Sequence, residues 1–237
     1  MRIKLVYIFI CYLIIFGCAQ SSWASNTFKS NISQSSQIIK RKLSWPDWKM
    51  PSPLRLPNLK DDLIFPNWFE GTWDVVNSIA GEDEEESIKH IAKFFVDSSN
   101  RIVADREYNT NSYAFNSKEK EFLFVKNDPT SPNRQFAKLT YDRYLETKVI
   151  GRLQEKINED IFLTDELILE ILHSQNLSRV SQVETLTEFR KCKFDDENNF
   201  HICAEQLQAI YKEPGQNIKT FPIRTQEIKL VLSKIQD

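Results

Sequence analysis

The chain has 237 residues, 41% hydrophobic and 27% charged, with 31 basic against 33 acidic side chains. Removing Arg2 and Lys4, which sit in an N-terminal leader, makes the net charge about −4, and that balance implies no nucleic-acid partner. Five glycines and no nucleophile elbow leave neither a phosphate loop nor a serine-hydrolase motif.

Arg2 and Lys4 precede an uncharged apolar run from Leu5 to Phe16. A spanning helix needs roughly 20 residues. The pattern is therefore that of a signal sequence over 1–24, with an n-region and an h-region, rather than a permanent anchor. Two cleavage sites compete. Ser22, Trp23 and Ala24 place small residues at the two inspected positions, with release before Ser25. Ile15, Phe16, Gly17 and Cys18 approach a lipobox, with Cys18 as the lipidated residue, but the bulky Phe16 departs from that pattern. Soluble release is the preferred reading. Lys40, Arg41 and Lys42 would add surface attraction to a lipid anchor; a solvated linker charge is their plainer role.

Residues 25–44, rich in Ser, Asn and Gln at their start, are expected to be a flexible leader. Over 45–70 the character changes. Pro46, Pro51, Pro53, Pro57 and Pro66, five of the nine prolines, crowd there with Trp45, Trp48 and Trp68. That proline density forbids a helix interior or a central strand, so an extended arm is expected. Its aromatic side chains need a surface, either the chain's own domain or a docking partner such as a membrane or membrane complex.

Residues 71–237 read as one mainly β domain. Trp73, Val75 and Ile79 share one face of a strand; Ile88, His90, Ala92, Phe94 and Val96 alternate on a second; Ile102 and Ala104 continue a third after a turn. Phe122–Val125, Leu145–Ile150, Val180–Phe194, Phe200–Tyr211 and Ile228–Leu232 supply more. About eight strands on short turns suit an antiparallel up-and-down β-barrel, which removes its own edges. Thr164, Asp165 and Glu166 ahead of Leu167, Ile168, Ile171 and Leu172 predict a helix with an N-cap and an acidic first turn. A second short helical turn is expected near Asn111–Phe115.

Of four cysteines, Cys11 and Cys18 lie in the leader, leaving Cys192 and Cys203 in the folded part. A hairpin turn centred on Glu197 and Asn198 would set them directly opposite one another. In an oxidising compartment a disulfide is then expected, two unpaired thiols being the alternative. His201 beside them leaves a zinc shell short of a ligand.

Gly71, Thr72 and Trp73 resemble the signature that opens lipocalin-like (calycin) barrels, in which the Trp closes one end and packs near an arginine from the last strand. By that resemblance Arg224 is the candidate arginine. The run Asp61–Trp73, with Asp128–Gln135, Val183–Thr187 and Ile202–Gln206, resembles an uncharacterised family of exported lipocalin-like proteins from cyanobacteria and chloroplasts. The resemblance spans most of the chain from Trp45 onward. It implies the fold, and the thylakoid lumen or periplasm as destination, but no activity.

Other candidates are weaker. Glu82–Glu86 offers five carboxylates but lacks the alternating ligands and turn glycine of a calcium loop, so a solvated hairpin tip is the plainer reading. Asn133 and Arg134, in an expected loop beside Pro132, are placed either to bind an anionic group or to seal the barrel base. No catalytic, metal or cofactor site is expected. Two functions remain: a barrel that binds a small apolar ligand such as a pigment, lipid or isoprenoid, or an accessory protein docking on a photosynthetic membrane complex through its arm.

Overall fold

The computed structural model describes residues 36–79, 87–117, 121–175, 177–193, 200–212 and 220–235. The expected signal sequence with Cys18 and Ser25, the carboxylate run Glu82–Glu86 and the hairpin turn at 195–199 lie outside those residues.

Among the described residues the elements run α1 (Gln37–Leu43), β1 (Gly71–Ile79), β2 (Ile88–Val96), β3 (Ile102–Ala104), α2 (Arg106–Asn116), β4 (Phe122–Asp128), β5 (Ser131–Leu139), β6 (Tyr144–Lys156), β7 (Ile161–His173), β8 (Arg179–Cys192), β9 (His201–Tyr211) and β10 (Arg224–Lys234). The strands form one antiparallel sheet, curled as a half-barrel, in the order β3-β2-β1-β10-β9-β8-β7-β6-β5-β4. Every neighbour but one is also a sequence neighbour; the exception is β1 on β10, which brings the first long strand against the last. The expected mainly β, lipocalin-like architecture is present, with ten strands where about eight were read from sequence.

The two free edges, β3 with the exposed half of β2 on one side and β4 on the other, face α2, the segment that links them. Asp105 caps this helix by accepting from the Tyr108 N–H. Asn109 and Ser112, three apart, lie on one side of it; Glu107 and Asn111, four apart, lie on the other. Asn109 accepts from the Lys93 N–H (2.7 Å) and donates to the Lys93 carbonyl (3.1 Å), while the Ile91 N–H donates to Ser112. Across the helix Asn111 accepts from the Val125 N–H (2.8 Å) and donates to its carbonyl (3.0 Å), and Asn127 N–H donates to Glu107. The asparagine amides thus stand in for strand peptides and satisfy both edges.

One end of the barrel is plugged. Residues 58–70 cross it, held by Ser131 Oγ donating to Leu59 O and by Asn133 Nδ2 donating to Asn58 O and Asp61 O. Leu63, Phe65 and Phe69 then fill the interior against Phe94, Phe162 and Trp73. Trp73 is fully buried at this end and donates its indole N–H to Phe69 O at 2.7 Å.

The arm covers the outside of the sheet. Ile38, Trp48 and Met50 pack on Leu163, Leu167, Leu186, Leu207, Ala209 and Tyr211. Burying Ile38 or Met50 contributes roughly 2 kcal/mol apiece. Where the arm turns over β6, the Arg152 N–H donates to Arg55 O, and a Cβ on Gly151 would stand 2.7 Å from that of Leu54. A side chain there would displace the arm.

Four expectations are corrected. Residues 37–43 of the expected flexible leader form α1, capped by Ser36. Thr164–Leu172, expected as a helix, lies within β7: both faces of that strand are covered, the outer by the arm, so its apolar residues do not follow one clean period. Asn133 and Arg134 lie on β5 rather than in a loop. Pro132 is tolerated there because pairing to β6 starts only at Arg134. Cys192 and Cys203 do form a disulfide, with Cα atoms 5.9 Å apart. They are diagonal rather than opposite, since Cys192 pairs with His201 and Cys203 with Arg190. The helical turn expected near Asn111–Phe115 is the second half of α2.

Candidate functional site

Directly paired residues in an antiparallel sheet share a face. Following the registers from Trp73 round to β4 therefore gives the inward residues. They fall into three levels. At the plugged end lies the phenylalanine cluster. The middle level is a polar belt: Gln226 donates to Gln208 (2.6 Å), Gln208 donates to Thr185 (3.4 Å), and Thr187 donates to Gln206 (3.4 Å). Beside Thr185 the belt continues into Glu166, which pairs with Arg152 across the strand.

This end of the belt is charged but internally balanced. Arg152 approaches Glu166 to 2.6 Å and donates to Asn133 Oδ1 at 2.7 Å; Arg106, from the start of α2, donates to Asp62 at 2.8 Å and to Glu166 at 3.3 Å. Burial works against charge on Arg106, but Glu166 and Asp62 outweigh it and its pKa is raised. Burial likewise opposes charge on Glu166, and Arg106 with Arg152 overcomes it and lowers its pKa. Two guanidinium groups and two carboxylates satisfy one another, locking α2 and the plug to the barrel wall.

The third level, toward the end opposite the plug, is mainly apolar, with Val125, Ala137, Leu139, Leu145 and Leu172 packed on one side and Tyr113, Ile228, Ile88 and Leu230 on another. Polar groups are set among these side chains. Asn77, on β1, is 2% exposed, and neither its Nδ2 nor its Oδ1 has a partner. The Gln226 Oε1 and the His90 Nε2 are also buried and unpartnered. His90 meets the edge of Tyr113, ring centroids 5.4 Å apart, and burial lowers its pKa, so the ring is neutral. Opposite, Glu170 accepts only from Ser181 Oγ among the hydrogen bonds described (3.1 Å), and burial pushes it up to about 7. Each unmade hydrogen bond of a buried amide costs about 1–3 kcal/mol.

The residues singled out in the sequence are scattered. Arg224 does not pack by Trp73: it begins β10 opposite Ile210, whereas Lys234, at the far end of β10, pairs with Trp73 and places its Nζ 5.7 Å from the ring. Asn133 donates to the plug carbonyls of Asn58 and Asp61 and accepts from Arg152. Arg134 points outward to Glu146 and Asp128 and over Phe136. Trp48 is fully buried on the sheet, Trp45 meets it edge-on, and Trp68 stacks on Phe69.

A second buried polar cluster lies under the arm, where Arg41, expected as a solvated linker charge, is instead buried against Glu184. Arg41 grips Glu184 with two bonds of 2.7 Å; Ser52 and Tyr211 also donate to Glu184. Asp165, fully buried and diagonal to Glu184, has both carboxylate oxygens unpartnered, and burial with the Glu184 charge raises its pKa well above the usual carboxylate range. Among the described residues no group of three or more His, Cys, Asp or Glu side chains could hold a metal ion.

Fold and site together define a lipocalin-like half-barrel, plugged at one end and mainly apolar toward the other, with Asn77, His90 and Glu170 set among the apolar side chains. The chain belongs to the family described as domain of unknown function (DUF6816), which matches residues 59–235. The match takes in the plug and all ten strands but not α1 or the Trp45–Pro57 part of the arm. No curated protein and no solved structure matches the chain.

Proposed function

We propose that this chain is an exported, non-catalytic binding protein of the lipocalin-like kind, taking a small, mainly apolar molecule into the chamber above its polar belt. The observation that carries the reading is Asn77: an amide with both hydrogen-bonding atoms buried and unpartnered, set among Ile88, Leu230 and Val75, is the handle a ligand would take. A pigment, lipid or isoprenoid suits the apolar walls. The Cys192–Cys203 disulfide agrees with an oxidising destination such as the periplasm or thylakoid lumen, as the leader and the resemblance to exported cyanobacterial and chloroplast lipocalin-like proteins also suggest.

The second reading, attachment to a membrane or membrane complex, loses the support of the arm, whose Trp48 is occupied by its own sheet. It draws instead on large apolar residues exposed round the open end, among them Phe115 (69%), Tyr141 (82%), Leu177 (60%) and Phe221 (58%). The binding reading is tested by purifying the protein from its native compartment, extracting it with organic solvent and analysing the extract by mass spectrometry. One small molecule in near-equal amount to the protein is expected. An extract indistinguishable from that of an unrelated protein purified alongside would overturn the reading.

A further inference from the structure

The side chains round the proposed chamber also indicate what kind of molecule it would take. A primary amide offers donors and an acceptor in one plane. The group that satisfies Asn77 must therefore present an acceptor and a donor close together, which a hydroxyl does from one oxygen and a carboxamide from two adjacent atoms. His90 stands one pair along on the neighbouring strand, opposite Val75, with its Nε2 buried and unpartnered. It adds a neutral ring that can donate or accept.

Charge narrows the class further. Arg106 and Arg152 are committed to Asp62 and Glu166. Arg224, at the mouth, is about 20 Å along β10 from Leu230, the residue opposite Asn77. A carboxylate or phosphate brought to Asn77 would be buried among apolar side chains away from these cations, which is costly.

We propose that the chamber binds an uncharged, mainly apolar molecule bearing a hydroxyl or carboxamide group, and that Asn77 with His90 is the polar contact reading that group. This rests on the binding reading above and names its ligand class. The test titrates decanol, decanamide and decanoate, which share one chain length, into the chain from Ser25 onward after stripping on an apolar resin, with calorimetry as the readout. Decanol and decanamide are expected to bind at least tenfold more tightly than decanoate. Asn77→Leu is expected to weaken both about tenfold while melting no lower than the parent, since a buried unpartnered amide has been removed. Should that variant fail to fold, Asn77→Ala carries the same affinity test.

Decanoate binding as tightly as decanol would overturn the uncharged class and leave the chamber a binding site. Unchanged decanol affinity in the Asn77 variants would overturn the assigned contact. Failure of all three probes overturns this inference; it overturns the binding reading as well only if the native protein also yields no extractable molecule.

Discussion

Glu170 shows how a single inward side chain ties the chamber to stability. Burial lifts its carboxyl from an ordinary 4.5 to about 7, with only a Ser181 hydrogen bond pulling the other way. Between those values the folded chain holds a proton that the unfolded chain has released. The stability from this group is thus full below about 4.5, falls as pH rises through the window, and levels off above about 7. The full effect is roughly 3 kcal/mol at about 1.4 kcal/mol per pH unit. Asp165 acts with the same sign, so the group is isolated by difference. Urea unfolding near pH 5 and pH 8 is expected to show a smaller loss for Glu170→Gln than for the parent, by about that amount. Equal losses would show that Glu170 is ionised in the folded state. At this scale the sequence was least legible. Trp73 and the two cysteines were readable because the residue type itself is rare and local. Asn77, Glu170 and Asp165 were not, because in sequence they are ordinary polar residues in strands, and only the register of distant partners buries them. Arg224 was misplaced for the same reason: the strand was right, but the end of β10 that meets Trp73 depends on pairing that composition does not encode.

The elements were more legible, and α2 shows both the reach and the limit of sequence pattern. Its second turn was readable; its role as the seam between two sheet edges was not, because Asn109 and Asn111 are poor helix formers that earn their place through partners on β2 and β4. Replacing Asn111 with Leu would leave the Val125 N–H and C=O without the bonds they now share with the amide. The expected cost is about 1–3 kcal/mol. Hydrogen exchange would localise it: the Val125 amide is expected to exchange faster than in the parent, with β7 and β8 unaffected. Unchanged exchange at Val125 would mean that the seam does not depend on this asparagine. The missed β5 and the helix expected at Thr164–Leu172 have related causes. Pro132 argued against a strand until the unpaired stretch of β5 left room for it, and β7 is buried on both faces, so the alternation that marks a half-exposed strand is absent.

For the whole molecule, the arrangement is a sheet whose two faces do different work. The outer face of β6–β9 is sealed by α1 and the arm around Trp48 and the Arg41–Glu184 pair; the inner face is stoppered at one end by Phe65 and Phe69, braced at mid-height by Arg106, Arg152 and Glu166, and left with the unpartnered Asn77 amide higher up. Stability requires only the first three. The unpartnered Asn77 amide lowers stability as it stands, and the proposed ligand would give it a use. The most direct measurement is a crystal structure of the protein taken from its native compartment without lipid-stripping steps. Continuous density for an uncharged molecule, with a polar atom about 3 Å from the Asn77 amide, is the predicted result. A chamber closed by repacked side chains, with Asn77 bonded to its own chain, would contradict it.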